Sequence, residues 1–323
     1  MCTRILWNSN DLAVLSGRTM DWPESTQPLV VAMPRGRKRN GGLVGSQVMV
    51  TENPLTWTSR YGSLVTTIYG IGTIDGFNER GLAAHGLYLD STDFGDRDSS
   101  KPGVQTGLWV QYLLDQAETV ADALALMEAI QVVLINVRGF DANLHVALED
   151  ASGDSAIIEF ADGKPVVHHG RQYTLMTNDP TYEEQLELLA QHDFSHPTGS
   201  TPVPGNVNAV DRFQRAAYFS GLLPEPADER QAVAAVMAIA RNVSVPFGAP
   251  YEDFGVYNTE YRTVCDLTNR TYFFELTSSP SVLWAQLDGL DISAGVQPHA
   301  VNPYDESLAG DVTSKFAPVD LGF

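Results

Sequence analysis

The chain opens Met1-Cys2-Thr3-Arg4-Ile5-Leu6-Trp7, then Asn8-Ser9-Asn10-Asp11, then Leu12-Ala13-Val14-Leu15-Ser16-Gly17-Arg18-Thr19-Met20-Asp21. Two apolar-rich runs, 3–7 and 12–16, flank a cluster of turn formers, which predicts a β-hairpin. Centring the turn between Ser9 and Asn10 makes paired positions sum to about 19, which sets Gly17 and Arg18 opposite Cys2. Asp21 falls just beyond the strand end. Excision of Met1 would give Cys2 both a thiol and a free α-amine. Such an amine titrates near roughly 7.7 to 8.0 and a thiol near about 8.5, so the amine can deprotonate its own sulfur without a histidine base. A guanidinium beside the sulfur would favour thiolate, and a carboxylate close by could hold or orient the amine. Arg18 and Asp21 thus complete a candidate nucleophile site, while as an ordinary surface ion pair they would be worth little. A chain that kept Met1 would have a blocked amine and could serve only as a binding protein.

Composition narrows the partners. Twenty Lys and Arg against forty Asp and Glu leave a formal charge of −20, which opposes nucleic acid and anionic membrane and favours a small molecule. With 323 residues, 43% of them hydrophobic, the chain can bury a large core. No linker divides it, so 1–323 reads as a single domain, with the Pro/Gly/Ser-rich stretch 195–205 as a surface loop. Cys2 and Cys265 are the two cysteines; both are expected reduced, and Cys265, within the strand-like run 261–267, reads as a small buried apolar residue. A redox-sensing role for Cys2 would need Cys265 as its resolving partner. No stretch has the apolar length of a membrane helix, and the N-terminus lacks a charged-then-apolar leader. Read literally the chain is cytoplasmic; cut from the mature end of an exported protein, it would be periplasmic.

Short alternating or β-branched runs at 28–33, 47–51, 63–69, 143–148, 155–160 and 165–169 predict strands. Helical periodicity marks 106–117 and 120–130, with Thr119 and Asp122 as a capping box, and further helices at 208–222 and 228–241. The stripe Ala232, Val233, Val236, Met237, Ala240 is one apolar face. Strands close the chain at 261–267, 271–276 and 282–287. Strands first, paired helices in the middle and strands last predict an α+β fold of antiparallel sheets covered by helices, two sheets stacked between helical layers. The segment Asp75-Gly76-Phe77-Asn78-Glu79-Arg80-Gly81 reads as turn-rich, and 86–89 as a strand whose end presents Tyr88.

Other chemistries find little support. The glycine fingerprint of dinucleotide sites, a GK[ST] phosphate loop and the G-x-S-x-G elbow are missing. His168 and His169 are adjacent on a strand and face opposite ways; His192 and His196 have i, i+4 spacing but precede Pro197 and enclose no glutamate. No metal and no cofactor is expected. Trp22, Trp57, Tyr61 and Tyr88 are candidates for an aromatic pocket, though aromatics are commonly core.

Met1-Cys2-Thr3, Gly17-Arg18-Thr19-Met20-Asp21-Trp22, Asn78-Glu79-Arg80-Gly81-Leu82, Thr177-Asn178-Asp179-Pro180, Asp211-Arg212-Phe213-Gln214-Arg215-Ala216 and Ser244-Val245-Pro246-Phe247-Gly248 together resemble the choloylglycine hydrolases. That family comprises conjugated bile salt hydrolases and penicillin V acylases among the N-terminal nucleophile hydrolases. The resemblance implies a four-layer αββα sandwich and a cofactor-free amidohydrolase that cleaves linear carbon–nitrogen amide bonds through a thioester. It implies Cys2 as nucleophile and base, Arg18 polarising the thiol and Asp21 orienting the amine. Asn178 and a group at Tyr88 would bind the oxyanion, Arg212 would complete the polar network, and Met20, Trp22 and Tyr61 would wall the acyl site. Bile salt hydrolases resemble one another in having asparagine where this chain has Tyr88; penicillin V acylases have tyrosine. The short interval from Asn178 to Arg212 resembles the Gram-negative branch, which includes enzymes acting on penicillin V and on long-chain N-acyl homoserine lactones. The implied partner is a small acyl amide, and the implied assembly a dimer or tetramer, with the insertion that helps build tetramers shortened here.

Overall fold

The computed structural model describes residues 1–250 and 255–323. β1 (Cys2–Trp7) and β2 (Leu15–Asp21) form the predicted hairpin, but its loop is longer than the turn formers implied. Asn10 Oδ1 accepts from the amides of Leu12 (3.0 Å) and Ala13 (2.9 Å), and Asn8 Nδ2 reaches across to the Gly153 carbonyl (2.7 Å). These bonds hold residues 8–14 outside the ladder. Cys2 therefore pairs with Met20 and Arg4 with Arg18, so paired positions sum to 22. The expected pairing of Gly17 and Arg18 with Cys2 is corrected by this slip, which lengthens the loop at the expense of the second strand.

The hairpin lies inside a seven-stranded sheet ordered β10 (Leu175–Met176), β1, β2, β11 (Thr259–Asp266), β12 (Thr271–Leu276), β13 (Val282–Gln286), β15 (Gly310–Asp311). A nine-stranded sheet stacks on it, ordered β9 (Lys164–His169), β8 (Ser155–Ala161), β7 (Leu144–Asp150), β6 (Leu82–Tyr88), β5 (Gly72–Asn78), β4 (Ser63–Ile68), β3 (Val30–Met33), β14 (His299–Val301), β16 (Ala317–Pro318). Neighbours are antiparallel except β13 with β15. Helices α1 (Thr106–Gln116) and α2 (Val120–Glu128) lie by the larger sheet, α1 packed on β5 and β6; α4 (Ala209–Ser220) and α5 (Glu229–Asn242) cover the smaller. The result is the αββα sandwich.

Local signals account for most of these elements. The Thr119–Asp122 capping box opens α2, and Asn208 and Asp228 cap α4 and α5 by accepting from Asp211 N (2.8 Å) and Gln231 N (2.7 Å). Of the stripe, Ala232, Val233, Val236 and Met237 are buried against Trp7, Leu15 and Val264, and Ala240 joins the main core. Gly17 and Gly72 let helices approach closely: a Cβ at Gly17 would lie 2.6 Å from Val236 Cγ1, and one at Gly72 2.2 Å from Gly107 O. Two expectations change. Asp75–Asn78 belongs to β5, and the turn is confined to Glu79-Arg80-Gly81. There Asn78 Oδ1 accepts from Arg80 N and Leu82 N while its Nδ2 donates to the Leu114 and Ala117 carbonyls at the end of α1. Helix α3 (Tyr182–Leu189) was not anticipated, being too short for its periodicity to show. Among the described residues no helix is long and apolar enough to cross a membrane.

Candidate active site

Alternation along the hairpin sends Cys2, Arg4, Arg18 and Met20 toward the larger sheet and Thr3, Thr19 and Asp21 toward the helices. On the inter-sheet face Arg18 Nη2 donates to Cys2 Sγ at 3.3 Å, and Met20 Sδ lies 3.6 Å from the same sulfur. The guanidinium is wholly buried and is held by the carbonyls of Ile74 (Nη1, 3.0 Å) and Gly86 (Nη2, 3.0 Å), one on each of β5 and β6. Burial opposes its charge, but the Cys2 sulfur, Tyr261 and Asp75 outweigh burial and hold its pKa above the ordinary arginine value. Arg18 therefore presents a fixed cation to the sulfur.

On the helix side the Cys2 nitrogen donates to Asn178 Oδ1 at 2.6 Å. Arg212, from the first turn of α4, donates through Nη2 to the same oxygen (2.9 Å) and through Nη1 to Cys2 O and Thr3 Oγ1 (2.6 Å each). The Asp21 carboxylate accepts from Thr259 Oγ1 (2.5 Å) and Thr19 Oγ1 (3.2 Å) and lies 3.5 Å from Arg212 Nη1. With Met1 attached, the Cys2 nitrogen is a secondary amide with one hydrogen, given to Asn178; Asp21 meets Met1 through its main chain, each residue's amide or amine donating to the other's carbonyl. Met1 itself is buried with Val207, Ala209 and Tyr257, and burial lowers the pKa of its α-amine. Asn178 Nδ2 donates to the Tyr88 carbonyl at 2.5 Å, leaving its second N–H for another acceptor.

A narrow cleft of about 80 Å³ ends at Cys2 and Arg18. Met20, Trp22, Ile68, Ile71, Ile74, Tyr88, Phe140 and Leu144 line it. Trp22 is the hub of its aromatic wall, with ring centroids 5.7 Å from Tyr88, 5.7 Å from Phe140 and 6.0 Å from Tyr257. Its indole N–H donates to Tyr69 Oη (2.8 Å), over whose ring the Arg138 guanidinium sits at 4.9 Å. Arg138 and Phe140 belong to the ribbon Asn136–Val137 with Phe140–Asp141, which walls one side of the cleft. The Tyr88 hydroxyl donates to Asp90 (2.8 Å); burial and that carboxylate raise its pKa, so the phenol keeps its proton.

Cys2, Arg18, Asp21, Tyr88, Asn178 and Arg212 thus converge, with Met20 and Trp22 on the cleft. Tyr61 does not. It precedes β4 at the end opposite Ile68, which places it on the order of 20 Å away at strand rise, and its hydroxyl donates to Glu118 at 2.6 Å. Trp57 is also elsewhere, bonded to Asp115. The sequence reading missed Ile68, Ile71, Phe140 and Leu144, because residues on three separated segments become neighbours only when the ribbon folds over the cleft. It also missed Thr259, whose hydroxyl accepts from Val245 N (2.8 Å); the Ser244–Gly248 motif works here as the support of Asp21.

The histidine pairs hold no common ligand: His168 packs on Tyr173 and Tyr182 while His169 faces Asp154, and α3 stops before His192. Among the described residues one cluster, Asp75, His85 and Cys265, brings possible metal ligands within 4.8 Å of one another. Asp75 is already committed to His85, Thr263 and Tyr272, and burial pushes the Cys265 thiol up, toward its neutral form. This donor set is built for hydrogen bonds.

Comparison with known proteins agrees with the geometry. The family model of linear amide C–N hydrolases, choloylglycine hydrolase family, matches residues 2–300. A penicillin V acylase of Pectobacterium atrosepticum is 35% identical over 318 residues, 90% of this chain and 82% of the relative. A bile salt hydrolase/transferase of Bifidobacterium longum is 22% identical over 87% of this chain and 94% of the relative. The structure of penicillin V acylase from Agrobacterium tumefaciens superposes with a TM-score of 0.88 at 35% identity, covering 99% of this chain and 98% of that one. With its nucleophile geometry and a match along nearly its whole length, the chain belongs to the choloylglycine hydrolase family and is a hydrolase of linear amide C–N bonds.

Proposed function

We propose that this hydrolase is an acylase of the penicillin V type, acting on amides whose acyl part is an aromatic ring on a short linker. The observation that carries the reading is the narrow apolar cleft, walled by Trp22, Tyr88 and Phe140, that ends at the Cys2 sulfur. A ring slides edge-on among such faces, as aromatic pairs prefer, and Tyr88 stands where bile salt hydrolases resemble one another in having asparagine. Aliphatic Ile68, Ile71, Ile74 and Leu144 on the same cleft support a second substrate, a slender fatty acyl amide such as a long-chain N-acyl homoserine lactone. Bile salts rank last.

In the active form Met1 is removed and the Cys2 α-amine takes the thiol proton. The thiolate, paired with Arg18, attacks the amide carbon; a C–S bond forms and the carbonyl π pair moves to oxygen. The free N–H of Asn178 is placed for that oxyanion, and such a donor is worth about 2.7–4 kcal/mol of barrier. Collapse breaks the C–N bond, and the α-ammonium returns its proton to the departing amine. Water, deprotonated by the α-amine, then hydrolyses the thioester, and the thiolate leaves. Asp21, held by Thr259 and Thr19 beside Arg212, orients the freed amine.

The test is intact mass and N-terminal analysis of the purified protein, alongside hydrolysis of penicillin V, decanoyl homoserine lactone and glycocholate. We expect Cys2 as first residue and penicillin V cleaved fastest. Faster cleavage of glycocholate overturns the substrate reading. A protein that turns over with Met1 in place overturns the amine as base.

A further inference from the structure

Directly behind Cys2 the two sheets are joined by fully buried charges. Glu149, on β7, accepts from Arg4 Nη2 at 2.5 Å and from His85 Nε2 at 2.5 Å. The other ring nitrogen of His85 donates to Asp75, which also takes bonds from Thr263 on β11 (2.8 Å) and from Tyr272 on β12. The chain of contacts therefore leaves the smaller sheet at β1, crosses three strands of the larger sheet and returns. It encircles Arg18. His85 and Asp75 are paired across β6 and β5, and the two carbonyls that grip the Arg18 guanidinium belong to the residues next to them, Ile74 and Gly86.

We propose that His85 is a positioning residue for the hydrolytic reaction: as a buried cation it holds Asp75 and Glu149, and so leaves the Arg18 guanidinium to Cys2 Sγ. This inference rests on Cys2 as the nucleophile. The charges explain why a cation is needed there. On the inter-sheet face, with the Cys2 nitrogen turned to Asn178 on the helix side, Arg4, Arg18 and His85 face Asp75, Glu149 and the Cys2 thiolate, three against three. Ser16 Oγ, 3.1 Å from His85 Nε2, the neutral Cys265 thiol and the protonated Tyr272 phenol, whose pKa burial raises, add none. Without the histidine cation two cations face three anions, and in a dry interior the excess is relieved by protonating the weakest acid of the three, the thiol. Burial works against the His85 charge, yet Glu149 and Asp75 overcome it and push its pKa up to about 9, so the cation persists across the neutral range.

The experiment is the rate of Cys2 alkylation by iodoacetamide at pH 7, read by mass spectrometry of the Cys2 peptide so that Cys265 does not contribute. His85→Gln should slow it at least tenfold and lower kcat with KM little changed. Asp75→Asn added to His85→Gln restores two cations against two anions and should recover most of the alkylation rate, which repair of mere packing would not do. Wild-type alkylation in folded His85→Gln, or no recovery in the double variant, overturns the proposal. Should His85→Gln fail to fold, Asp75→Asn alone decides: it leaves the cations in excess, so alkylation must be at least as fast as in the wild type, and slower alkylation overturns the proposal. Because the readout needs neither substrate nor a free α-amine, it stands apart from failure of the acylase reading.

Discussion

The two faces of the β1–β2 hairpin meet the same solvent-free interior with opposite chemistry. The face toward the helices carries Thr3, Thr19 and Asp21, short side chains satisfied by the Arg212 guanidinium, which donates to Thr3 Oγ1, and by the Thr259 and Thr19 hydroxyls, which donate to Asp21. The face toward the larger sheet carries Arg4 and Arg18, long cations that reach across the sandwich to carbonyls and carboxylates. One strand pair can thus present an amine site and a thiol site on a single residue, because alternation sends the Cys2 side chain to one face and leaves its nitrogen at the edge of the other. In the proposed mechanism the nucleophile and its base share a residue but are tuned by different layers of the fold.

The largest effect falls on the residue the two faces share. Cys2→Ala should abolish hydrolysis while circular dichroism and melting temperature stay near wild type; substantial turnover would dissolve the distinction altogether. On the helix face, Asn178→Ala should lower kcat about 10²–10³-fold, the cost of one oxyanion donor, in steady-state assays with penicillin V. On the cleft, Trp22→Ala should reduce kcat/KM for penicillin V about tenfold, since it removes the hub of the aromatic wall. An equal loss with decanoyl homoserine lactone would show that the wall recognises bulk, not rings.

The inter-sheet face has a signature in pH. His85 has its pKa raised in the folded chain to about 9 from an unfolded value near 6.5, so its contribution to stability is complete below about 6.5 and disappears as pH climbs through about 9. Glu149 and Asp75, buried yet pulled down by their cations, act oppositely: their contribution is present above the ordinary carboxylate range and is lost in acid. Urea denaturation across pH 6–10 should show stability falling with alkali, and His85→Gln should flatten that fall; a parallel decline in both proteins would place the titration elsewhere. The smallest effect belongs to Tyr61→Phe, which should change kcat/KM less than twofold, because the residue bonds Glu118 far from the cleft.

Much of this was legible along the chain, for identifiable reasons. Hairpin, capped helices and apolar stripes rest on contacts within a few residues, and the Thr119–Asp122 box and the α5 stripe appear where local rules put them. Cys2, Arg18 and Asp21 could be grouped because they share one hairpin. Register could not, since it turned on Asn8 bonding the Gly153 carbonyl, 145 residues away. Tyr61 was misplaced for a related reason: a resemblance of motifs suggests which aromatics could wall a pocket, but which end of the sheet opens onto the site is set by distant packing.

By itself, the sequence determined the α+β class, the hairpin that bears Cys2, and the residue types able to serve a thiol and an amine, because those follow from periodicity, turn chemistry and neighbouring side chains. Only the tertiary structure decided that Met20 stands opposite Cys2, that Phe140 and Ile68 close the cleft, and that His85, Asp75 and Glu149 are buried together behind Arg18. Each of these depends on stacking one sheet on the other, where burial out of water makes pairing between distant residues obligatory, and no local pattern encodes which partner a buried charge will find.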